Sequence, residues 1–361
     1  IGPWNYPVFT PMGSIAYALA AGNAVVFKPS EYTPGVGEWL ARTFLESVGR
    51  PVLSVVTGYG ETGAALCAAG VGKVAFTGST ATGKKVMAAC AETLTPVVIE
   101  AGGKDALIVD ADADIEAAAD AALWGACANA GQTCTGVERI YVHERVYDDF
   151  LAELIDKAKD LRAYDGPDSP IGPITMPSQI DVIRSHIQDA IDRGGRAVIG
   201  GVDAVGERFV QPTILVDVPE DSLAVQEETF GPTITVAKVK DMDEAIERTN
   251  GTRYGLASTV FSQERGMELA GRIRSGMTAV NGVITFAGVP SLPFGGVGDS
   301  GFGRIHGPDG LKEFTYAKAI ARQRFKPLLA LTSFSRTEKM DKQLATMITM
   351  LHGRGTTIPK E

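Results

Sequence analysis

Cys134 and Glu100 are the two side chains of this sequence with the clearest potential for chemistry, because one offers a nucleophile and the other a base. Cys134 lies in NAGQTCTGVER, in a loop between an Ala-rich helical run and a strand. The other cysteines, Cys67, Cys90 and Cys127, lie within helical Ala-rich segments, which predicts core positions. A thiolate is strongly nucleophilic, but the neighbours that would stabilise one are not visible in sequence, so an inert loop thiol is the alternative.

Glu100 ends the apolar run PVVIE, and the Ala-Gly-Gly that follows lets the backbone approach other groups closely. In apolar surroundings a glutamate has a raised pKa and can act as a general base near neutral pH. A strand-end glutamate that points into water is the alternative. No Cys–His pair is evident, since the four histidines lie in segments typical of surface or turn positions: His143, His186, His306 and His352.

Glycine-rich segments after two predicted strands could bind a phosphate group. GYGETG at 58–63 matches the G-x-G-x-x-G pattern, although that pattern alone is equally typical of a turn. In FTGSTATG, Gly78, Ser79 and Gly83 begin a helix whose unpaired N–H groups could face a pyrophosphate. Two adjacent strand ends of this kind favour a dinucleotide more than either one alone.

Lys28 and Glu31 follow another predicted strand, in the run FKPSE. A cation and a carboxylate three residues apart at a strand end could both reach ribose hydroxyls. The alternative is a solvated ion pair after a proline turn, which needs no ligand.

Composition limits the classes of function. The 361 residues are 45% hydrophobic, enough for two domain-sized cores. A net charge of −9, with no basic run longer than two residues, argues against nucleic acid as a partner. Four cysteines without C-x-x-C spacing predict neither a metal site nor a disulfide framework, and they indicate a reducing, cytoplasmic compartment. No apolar run reaches the roughly 18 residues that span a bilayer.

Short β-branched runs alternate with Ala- and Gly-rich helical stretches, which predicts an α/β fold with βαβ units and a parallel sheet. In the first hundred residues the predicted strands are 24–30, 53–60, 73–79 and 95–103, and the helices are 35–48 and 79–92. A strand at 106–109 and a helix ending near Gly131 follow. The second block has predicted helices at 146–162, 178–193, 242–250 and 264–275, and strands at 138–142, 196–200, 212–216, 233–239, 257–261 and 278–281. A last strand is predicted at 316–325 and a last helix at 337–352.

Seven segments of the chain resemble the aldehyde dehydrogenase superfamily of the hydrolytic, NAD(P)-dependent type, in the order and spacing of that family. They are PWNYP at 3–7, FKPSE at 27–31, FTGSTATG at 76–83, IEAGGK at 99–104, NAGQTC at 129–134, EETFGP at 227–232 and PFGG at 293–296. The interval of 34 residues from Glu100 to Cys134 is also typical. Seven motifs in the same order along the chain are stronger evidence than the alternative interpretation of each residue taken alone.

The resemblance implies a mechanism for the two residues that the sequence already marks. Cys134, as a thiolate, would attack the aldehyde carbon, with the oxyanion held by the Asn5 side-chain amide and the Cys134 backbone N–H. After hydride transfer to the nicotinamide, Glu100 would activate the water that hydrolyses the thioester to a carboxylic acid.

The resemblance also implies a cofactor site. Lys28 and Glu31 would bind the adenosine ribose, and Gly78, Ser79 and Gly83 would line the pyrophosphate. The remaining residues implied are Trp4, by its backbone beside the nicotinamide, Glu228 and Phe230, at the nicotinamide ribose and ring, and Phe294, at the aldehyde pocket. Because Glu31 would repel a 2′-phosphate, NAD is expected, with NADP as the alternative.

The family architecture implies a doubly wound cofactor domain at 1–102 and a second α/β catalytic domain at 103–298. A return segment and oligomerisation strand would occupy 299–325, and a tail 326–361. We interpret the chain as lacking the N-terminal portion of the cofactor domain. A homodimer or homotetramer is expected for the intact protein. The apolar helical face of the tail is interpreted as packing against a neighbour or the protein's own body, in preference to membrane attachment.

Two alternatives to a hydrolytic enzyme remain open. A CoA-acylating aldehyde dehydrogenase would transfer the acyl group to a thiol and would not need Glu100 as a base. A folded, non-catalytic module that only forms oligomers is the alternative from another class, because part of the cofactor domain would be missing. The sequence does not identify the aldehyde, although VGDSGFGRIHGPDGL resembles members associated with succinate-semialdehyde.

Overall fold

The computed structural model describes residues 1–327, 329 and 332–353 of the chain. These residues form two units. The first, Ile1–Thr315, contains every strand found among the described residues, and the second begins at Tyr316.

The first unit contains eleven α-helices, and four of them begin at a residue whose side chain caps the helix. The eleven are α1 (Phe9–Ala20), α2 (Pro34–Val48), α3 (Gly60–Ala68), α4 (Thr80–Ala91), α5 (Ile115–Cys127), α6 (Tyr147–Ala158), α7 (Pro177–Asp192), α8 (Leu223–Gln226), α9 (Met242–Asn250), α10 (Gly266–Arg272) and α11 (Gly307–Glu313). Ser79, Asp114 and Asp241 cap α4, α5 and α9 by accepting a backbone N–H of the first turn. Each cap pairs a donor that the helix itself cannot satisfy.

The strands belong to three sheets. They are β1 (Val25–Phe27), β2 (Leu53–Val55), β3 (Val74–Gly78), β4 (Val97–Ala101), β5 (Asp105–Val109), β6 (Val137–His143), β7 (Arg196–Ile199), β8 (Thr213–Val216), β9 (Thr233–Val239), β10 (Ala257–Phe261), β11 (Met277–Val280) and β12 (Gly301–Phe302). The largest sheet has the order β11-β10-β5-β6-β9-β8-β7 and is parallel throughout except for β7 against β8. Its strand β5 is buried at every residue, as expected when helices cover both faces of a parallel sheet.

The two smaller sheets are built from strands in the first third of the chain, with β12 added from its end, and they are linked by the first residues. One pairs β1 with β2 in parallel, and the other pairs β4 with β3 in parallel and with β12 in antiparallel orientation. The Gly2 N–H donates to the Lys28 carbonyl at 3.0 Å, while the Thr77 N–H donates to the Ile1 carbonyl at 3.1 Å. Ile1 and Gly2 therefore join the end of β1 to β3.

The core of the second block is built from small residues on one helix and large ones on its neighbour. Ala118 and Ala122 of α5 are fully buried beside Phe150 and Leu154 of α6. Alanines let the helix axes approach closely while the larger side chains fill the space. Cys127 ends α5 in this core, and the two other cysteines of Ala-rich segments, Cys67 and Cys90, are buried on α3 and α4. The prediction that these three are core residues is confirmed.

The α/β class and the parallel sheet predicted from the sequence are confirmed, and the predicted elements up to residue 281 lie within a few residues of the observed ones. Helices α1, α3, α8 and α11 were not predicted. In α1 the segment FTPMGSIAYALA contains Pro11 and Gly13, which lower helix propensity. Burial of Ile15 and Ala18 on one face stabilises the helix despite them.

Two predicted boundaries differ from the structure. Helix α5 ends at Cys127, and the residues up to Gly131 form a 3₁₀ turn containing left-handed backbone. Residues 316–325, predicted as a strand that joins subunits, pair with no strand of the described chain, and their pairing with another subunit stays a prediction. A strand needs a second strand to pair with its backbone N–H and C=O groups. The alternation of apolar and basic residues in this segment does not provide that second strand.

The second unit contains helix α12 (Glu338–His352), which confirms the prediction at 337–352. Among the described helices, none combines the length and the apolar character needed to cross a membrane.

Candidate active site

The cofactor residues predicted after β1 lie together. The Lys28 Nζ is 3.6 Å from the Glu31 Oε2 and donates to the Pro29 carbonyl at 3.0 Å. Lys28 is buried, whereas Glu31 keeps an accessible carboxylate. Helix α3 begins beside this pair, since a Cβ added to Gly63 would lie 3.8 Å from the Lys28 Cδ. The ends of β1 and β2 thus meet at one edge, where parallel sheets commonly bind ligands.

Gly78, Ser79 and Gly83 lie at the junction of β3 and α4. The Ser79 Oγ accepts the Thr82 N–H at 3.3 Å, so it caps the helix. A Cβ on Gly78 would lie 2.7 Å from the Phe76 ring, and one on Gly83 would lie 3.2 Å from the Ile99 side chain. These glycines therefore allow α4 to pack closely on the sheet, which brings the first N–H groups of α4 to the strand end.

Aromatic rings connect this edge to the segment at 227–232. The Trp4 ring is 6.4 Å from that of Tyr32 and 5.7 Å from that of Phe230, edge to face in both cases. Trp4 and Phe230 were predicted to share the nicotinamide site, and the structure places them in contact. Tyr32, next to Glu31, was not singled out from the sequence.

The loop that carries Cys134 has an unusual backbone. Asn129, Ala130 and Gly131 have consecutive positive φ angles of 54°, 58° and 72°. The Gln132 side chain holds the loop, since its Nε2 donates to the Asn129 carbonyl at 2.9 Å and its Oε1 accepts the Thr175 N–H at 2.8 Å. Left-handed backbone at non-glycine residues is strained and is maintained only where the surroundings fix it.

Glycine is required at position 131 because of its positive φ angle and because no space exists for a Cβ. Two mutations distinguish these effects. The φ of Gly131 is +72°, and a Cβ would lie 2.1 Å from the Gly231 carbonyl carbon. Gly49, which ends α2, has nearly the same φ of +70° but no heavy atom within 4 Å of an added Cβ. We expect Gly49→Ala to lower the free energy of unfolding by about 1 kcal/mol, from backbone strain alone.

Gly131→Ala adds a backbone clash to the same strain, so we expect a loss larger by about 2 kcal/mol or more. Urea unfolding of the two variants beside the unmodified protein measures both effects. Equal losses would show that the loop moves away from Gly231 freely, contrary to the close contact described.

Asn5 and Tyr6 hold the loop from the other side. The Asn5 Nδ2 donates to the Gln132 carbonyl at 2.9 Å, and the Tyr6 hydroxyl lies 3.0 Å from the Thr133 Oγ1. An amide group has two N–H donors, so one remains for another acceptor beside Cys134. The predicted oxyanion donor is therefore adjacent to the loop of the predicted nucleophile.

Glu100 lies on β4, between Thr77 of β3 and Gly301 of β12. Its side chain is buried, and neither carboxyl oxygen has a hydrogen-bond partner among the described residues. Burial raises the pKa of Glu100, and the neighbouring Cys134 and Thr77 only partly oppose that shift. The expectation of a glutamate in apolar surroundings, near the thiol, agrees with this geometry.

Cys134 is half-buried beside three carboxyl groups. Burial is the largest influence and raises the pKa of the Cys134 thiol well above its usual value, and the charges of Glu100, Glu228 and Asp105 raise it further. These surroundings favour the protonated thiol. Formation of a thiolate therefore requires a base, and Glu100 is the carboxyl group with the strongest influence on the thiol.

Glu228 enters the site beneath the two glycines of IEAGGK. Its Oε1 accepts the Gly103 N–H at 3.1 Å, and a Cβ on Gly102 would lie 2.2 Å from the same oxygen. Burial raises the pKa of Glu228 to about 8, with the charge of Glu138 adding to the shift. Gly102 and Gly103 thus make room for a carboxyl group that the surroundings favour in its neutral form.

A buried ionic network positions the segment around Glu228. Lys104 forms an ion pair with Glu138 and donates to the Thr229 Oγ1 at 3.0 Å. Glu138 in turn accepts the N–H groups of Thr229 and Phe230, at 2.8 and 2.9 Å. Lys104 and Glu138 were not predicted as site residues. Lys104 lies inside IEAGGK, and Glu138 lies at the start of the apolar strand β6.

Two histidines correct the expectation that all four lie at surface or turn positions. His186 of α7 is buried, and its Nδ1 lies 3.1 Å from the Thr229 Oγ1. His306 is also buried, with its ring 5.5 Å from that of Phe294. Helical and aromatic packing partners far along the chain enclose both rings, which local sequence could not indicate.

Phe294 lies in an apolar cluster against which Cys134 packs. The cluster comprises Val98, Leu256, Ala257, Met277, Ala279, Phe286, Phe294 and Ile305. The thiol therefore has carboxyl groups on one side and an apolar wall on the other. Among the described residues, no group of three or more His, Cys, Asp or Glu side chains is arranged to hold a metal ion.

Comparisons with known proteins identify relatives of this arrangement. The model of the aldehyde dehydrogenase family matches residues 1–320. The 4,4'-diapolycopene aldehyde oxidase of a Methylomonas species is 40% identical over 342 residues, covering 94% of this chain and 62% of that protein. The mitochondrial aldehyde dehydrogenase of Leishmania tarentolae is 41% identical over 329 residues, covering 88% and 65%.

Solved structures agree with these matches. The NAD-dependent aldehyde dehydrogenase of Sinorhizobium meliloti superposes with a TM-score of 0.86 at 33% identity, covering 91% of this chain and 67% of that one. Betaine aldehyde dehydrogenase from Staphylococcus aureus in complex with NAD+ gives a TM-score of 0.80 at 34% identity, covering 87% and 64%. The chain thus spans less than two thirds of the length of the first two curated relatives.

Proposed function

Because the chain belongs to the aldehyde dehydrogenase family, we propose that it oxidises an aldehyde to a carboxylic acid with a nicotinamide cofactor. The observation that carries the proposal is the pairing of Cys134 with Glu100. A thiol and an unpartnered buried carboxyl group interact at one site, with the Asn5 amide at the same loop. Nucleophile, base and oxyanion donor are the three groups that this oxidation needs.

In the first step Glu100 takes the proton of the Cys134 thiol, and the sulfur attacks the aldehyde carbon. The negative charge then moves to the aldehyde oxygen, where the free N–H of Asn5 and the backbone N–H of Cys134 donate to it. A nicotinamide cofactor, when bound, would supply the acceptor for the hydride of the thiohemiacetal, and Cys134 would then hold the acyl group as a thioester.

Glu100 releases the proton of the thiol to solvent and then acts again in the second step. It removes a proton from a water molecule, which attacks the thioester carbon, and the Cys134 sulfur leaves with the release of the carboxylic acid. A carboxyl group without hydrogen bonds can move between the thiol and the water, and the glycines after Ala101 leave space for that movement. One residue thereby serves both steps.

The residues of the chain fit a dinucleotide. Lys28 and Glu31 would bind the adenosine ribose, and the N–H groups that begin α4, with Gly78, Ser79 and Gly83, would face the pyrophosphate. Trp4, Phe230 and Glu228 would hold the nicotinamide and its ribose. The accessible Glu31 carboxylate accepts a ribose hydroxyl and repels a 2′-phosphate, which favours NAD over NADP. The related structure of an NADP dependent enzyme from E. coli makes NADP the alternative to test.

For the substrate we propose an apolar aldehyde. The wall against which Cys134 packs is built from aliphatic and aromatic side chains, and Phe294 borders it. Burial of an uncharged alkyl group of the substrate is favourable there, whereas a substrate carboxylate would lose its hydrating water and find no polar partner. This favours an apolar substrate over succinate-semialdehyde, which the sequence resemblance suggested.

Steady-state assays with matched aldehydes test the reaction and the substrate class together. Hexanal and succinate-semialdehyde are compared with NAD and with NADP, with and without CoA, while the acid is quantified. We expect acid from hexanal with NAD and no need for CoA. Product only with CoA would support the acylating type, and no product under any condition would support a non-catalytic module.

The proposed architecture extends to the whole chain. We propose a cofactor domain at 1–102 and a catalytic domain at 103–298. Residues 299–325 would return to the three-stranded sheet of the cofactor domain, in which β12 pairs with β4. Residues 316–325 would become a strand on pairing with another subunit of a homodimer or homotetramer. Four free cysteines are compatible with a cytoplasmic location.

A further inference from the structure

The C-terminal segment differs in charge from the rest of the chain. Residues 316–361 contain nine Lys and Arg against three Asp and Glu, a net charge of +6, whereas residues 1–315 carry a net charge of −15. The family match ends at residue 320. The catalytic fold of the family therefore does not account for this concentration of positive charge.

Helix α12 within this segment is amphipathic. Its apolar side chains recur at spacings of four, three, one and three residues, which places them on one face: Met340, Leu344, Met347, Ile348 and Leu351. Lys339, Lys342 and Thr346 lie on the other face. Ile348 is 50% exposed and Leu351 is 69% exposed. The described residues of this unit thus leave part of the apolar face exposed.

We propose that α12 binds the anionic headgroup surface of a lipid bilayer, with its apolar face inserted at the boundary of the acyl chains. The 15-residue helix has an apolar face and a polar side on which Lys339 and Lys342 accompany Glu338 and Asp341, and such an amphipathic helix can lie in the plane of a membrane. The excess of positive charge therefore comes from the residues around the helix. Basic residues precede the helix at Arg322, Arg324 and Lys326, and the sequence continues after it with Arg354 and Lys360. Positive charge at both ends is complementary to anionic lipids.

The charge distribution favours a membrane over a second copy of this helix. Two segments with a net charge of +6 repel each other, and 15 residues provide about two heptads, fewer than the three or four that sustain a coiled coil. The first unit has a net charge of −15 and is repelled by anionic lipid. Attraction to the membrane is therefore limited to the C-terminal segment. This proposal replaces the earlier expectation that the tail packs against protein, and it does not depend on the proposed enzymatic activity.

Sedimentation of the full chain with vesicles tests the proposal. Vesicles of phosphatidylcholine alone are compared with vesicles containing about one third phosphatidylglycerol, at low and at high salt. We expect binding to the anionic vesicles at low salt, a loss of at least about tenfold in partitioning without phosphatidylglycerol, and a similar loss at high salt. Equal sedimentation with both vesicle types, or with neither, would overturn the proposal.

Matched variants identify the face that binds. Ile348→Gln with Leu351→Gln removes two apolar side chains, whereas Thr346→Gln with Thr349→Gln introduces the same side chains on the polar face. We expect the first pair to weaken partitioning about tenfold and the second to leave it within about twofold. Circular dichroism and elution volume monitor folding and assembly for both. Equal partitioning of the two pairs, or a smaller assembly for the first pair alone, would assign the apolar face to a protein contact instead.

Discussion

Replacement of Cys134 with alanine is expected to lower kcat for aldehyde oxidation by about 10⁴-fold or more, because no other group can form the thioester. The half-buried thiol is the nucleophile that packs between the Glu100 carboxyl and the apolar wall. Alanine removes only the sulfur, so cofactor binding should persist. The measurement is the rate of reduced cofactor formation with saturating aldehyde, together with cofactor affinity from fluorescence titration.

Cys127→Ala is the matched control for this prediction. Cys127 lies seven residues earlier and is buried at the end of α5, where burial raises the pKa of its thiol to about 12. It cannot form a thiolate near neutral pH, so its loss should leave kcat within about twofold. If Cys134→Ala oxidised aldehyde as fast as Cys127→Ala does, the mechanism based on Cys134 would be wrong.

Replacement of Glu100 with glutamine is expected to slow the attack by Cys134, because the thiol loses its base, and to stop turnover at the thioester. Glutamine preserves shape but cannot accept the proton of the attacking water, so steady-state turnover should fall by about 10²- to 10⁴-fold. With aldehyde in excess, rapid mixing should show at most one equivalent of reduced cofactor per site, followed by a slow phase. Mass spectrometry of the quenched protein should detect the acyl group on Cys134.

Glu92→Gln, at an exposed position after α4, provides the control for loss of a carboxylate. Its rate should equal that of the unmodified protein. Formation of neither a burst nor an acyl adduct in Glu100→Gln would show that the carboxylate is needed before hydride transfer. Full turnover in that variant would remove Glu100 from the mechanism altogether.

Glu100 also determines whether turnover rises or falls with pH. Burial raises the pKa of Glu100 above its ordinary value, and only the deprotonated form can act as a base. Turnover should therefore be full above that raised pKa and should fall as pH decreases through it. A rate that increased toward acid pH would contradict the assignment.

Local sequence predicted the α/β fold well because each element carries its own pattern. Buried β5 reads as a continuous apolar run, and α5 has alanines at helical spacing with Asp114 as its cap. Helix α1 was missed because Pro11 and Gly13 obscure a pattern that tertiary burial stabilises. The strand at 316–325 stays a prediction, since pairing depends on a second strand and not on the residues of the first.

The candidate site was predictable to the extent that its residues lie in short motifs. Cys134, Glu100 and Asn5 each fall in a segment that resembles the family, and the structure places their segments together. Lys104 and Glu138 are 34 residues apart and form an ion pair only in the folded chain. A buried charge has no local signature, because its partner can come from anywhere in the sequence.

The hydrogen bonds that shape the Cys134 loop also bear on the order in which the protein acquires function. Asn5 and Gln132 are separated by 127 residues, and Gln132 contacts Pro173 and Thr175, which are 41 and 43 residues away. Contacts of such sequence separation form late, after local helices, because closing long loops costs chain entropy. During synthesis or refolding the strained turn can close only once these distant segments have arrived. The thiol thus gains its reactive surroundings as one of the last events of folding, and a partly folded chain would hold an ordinary cysteine.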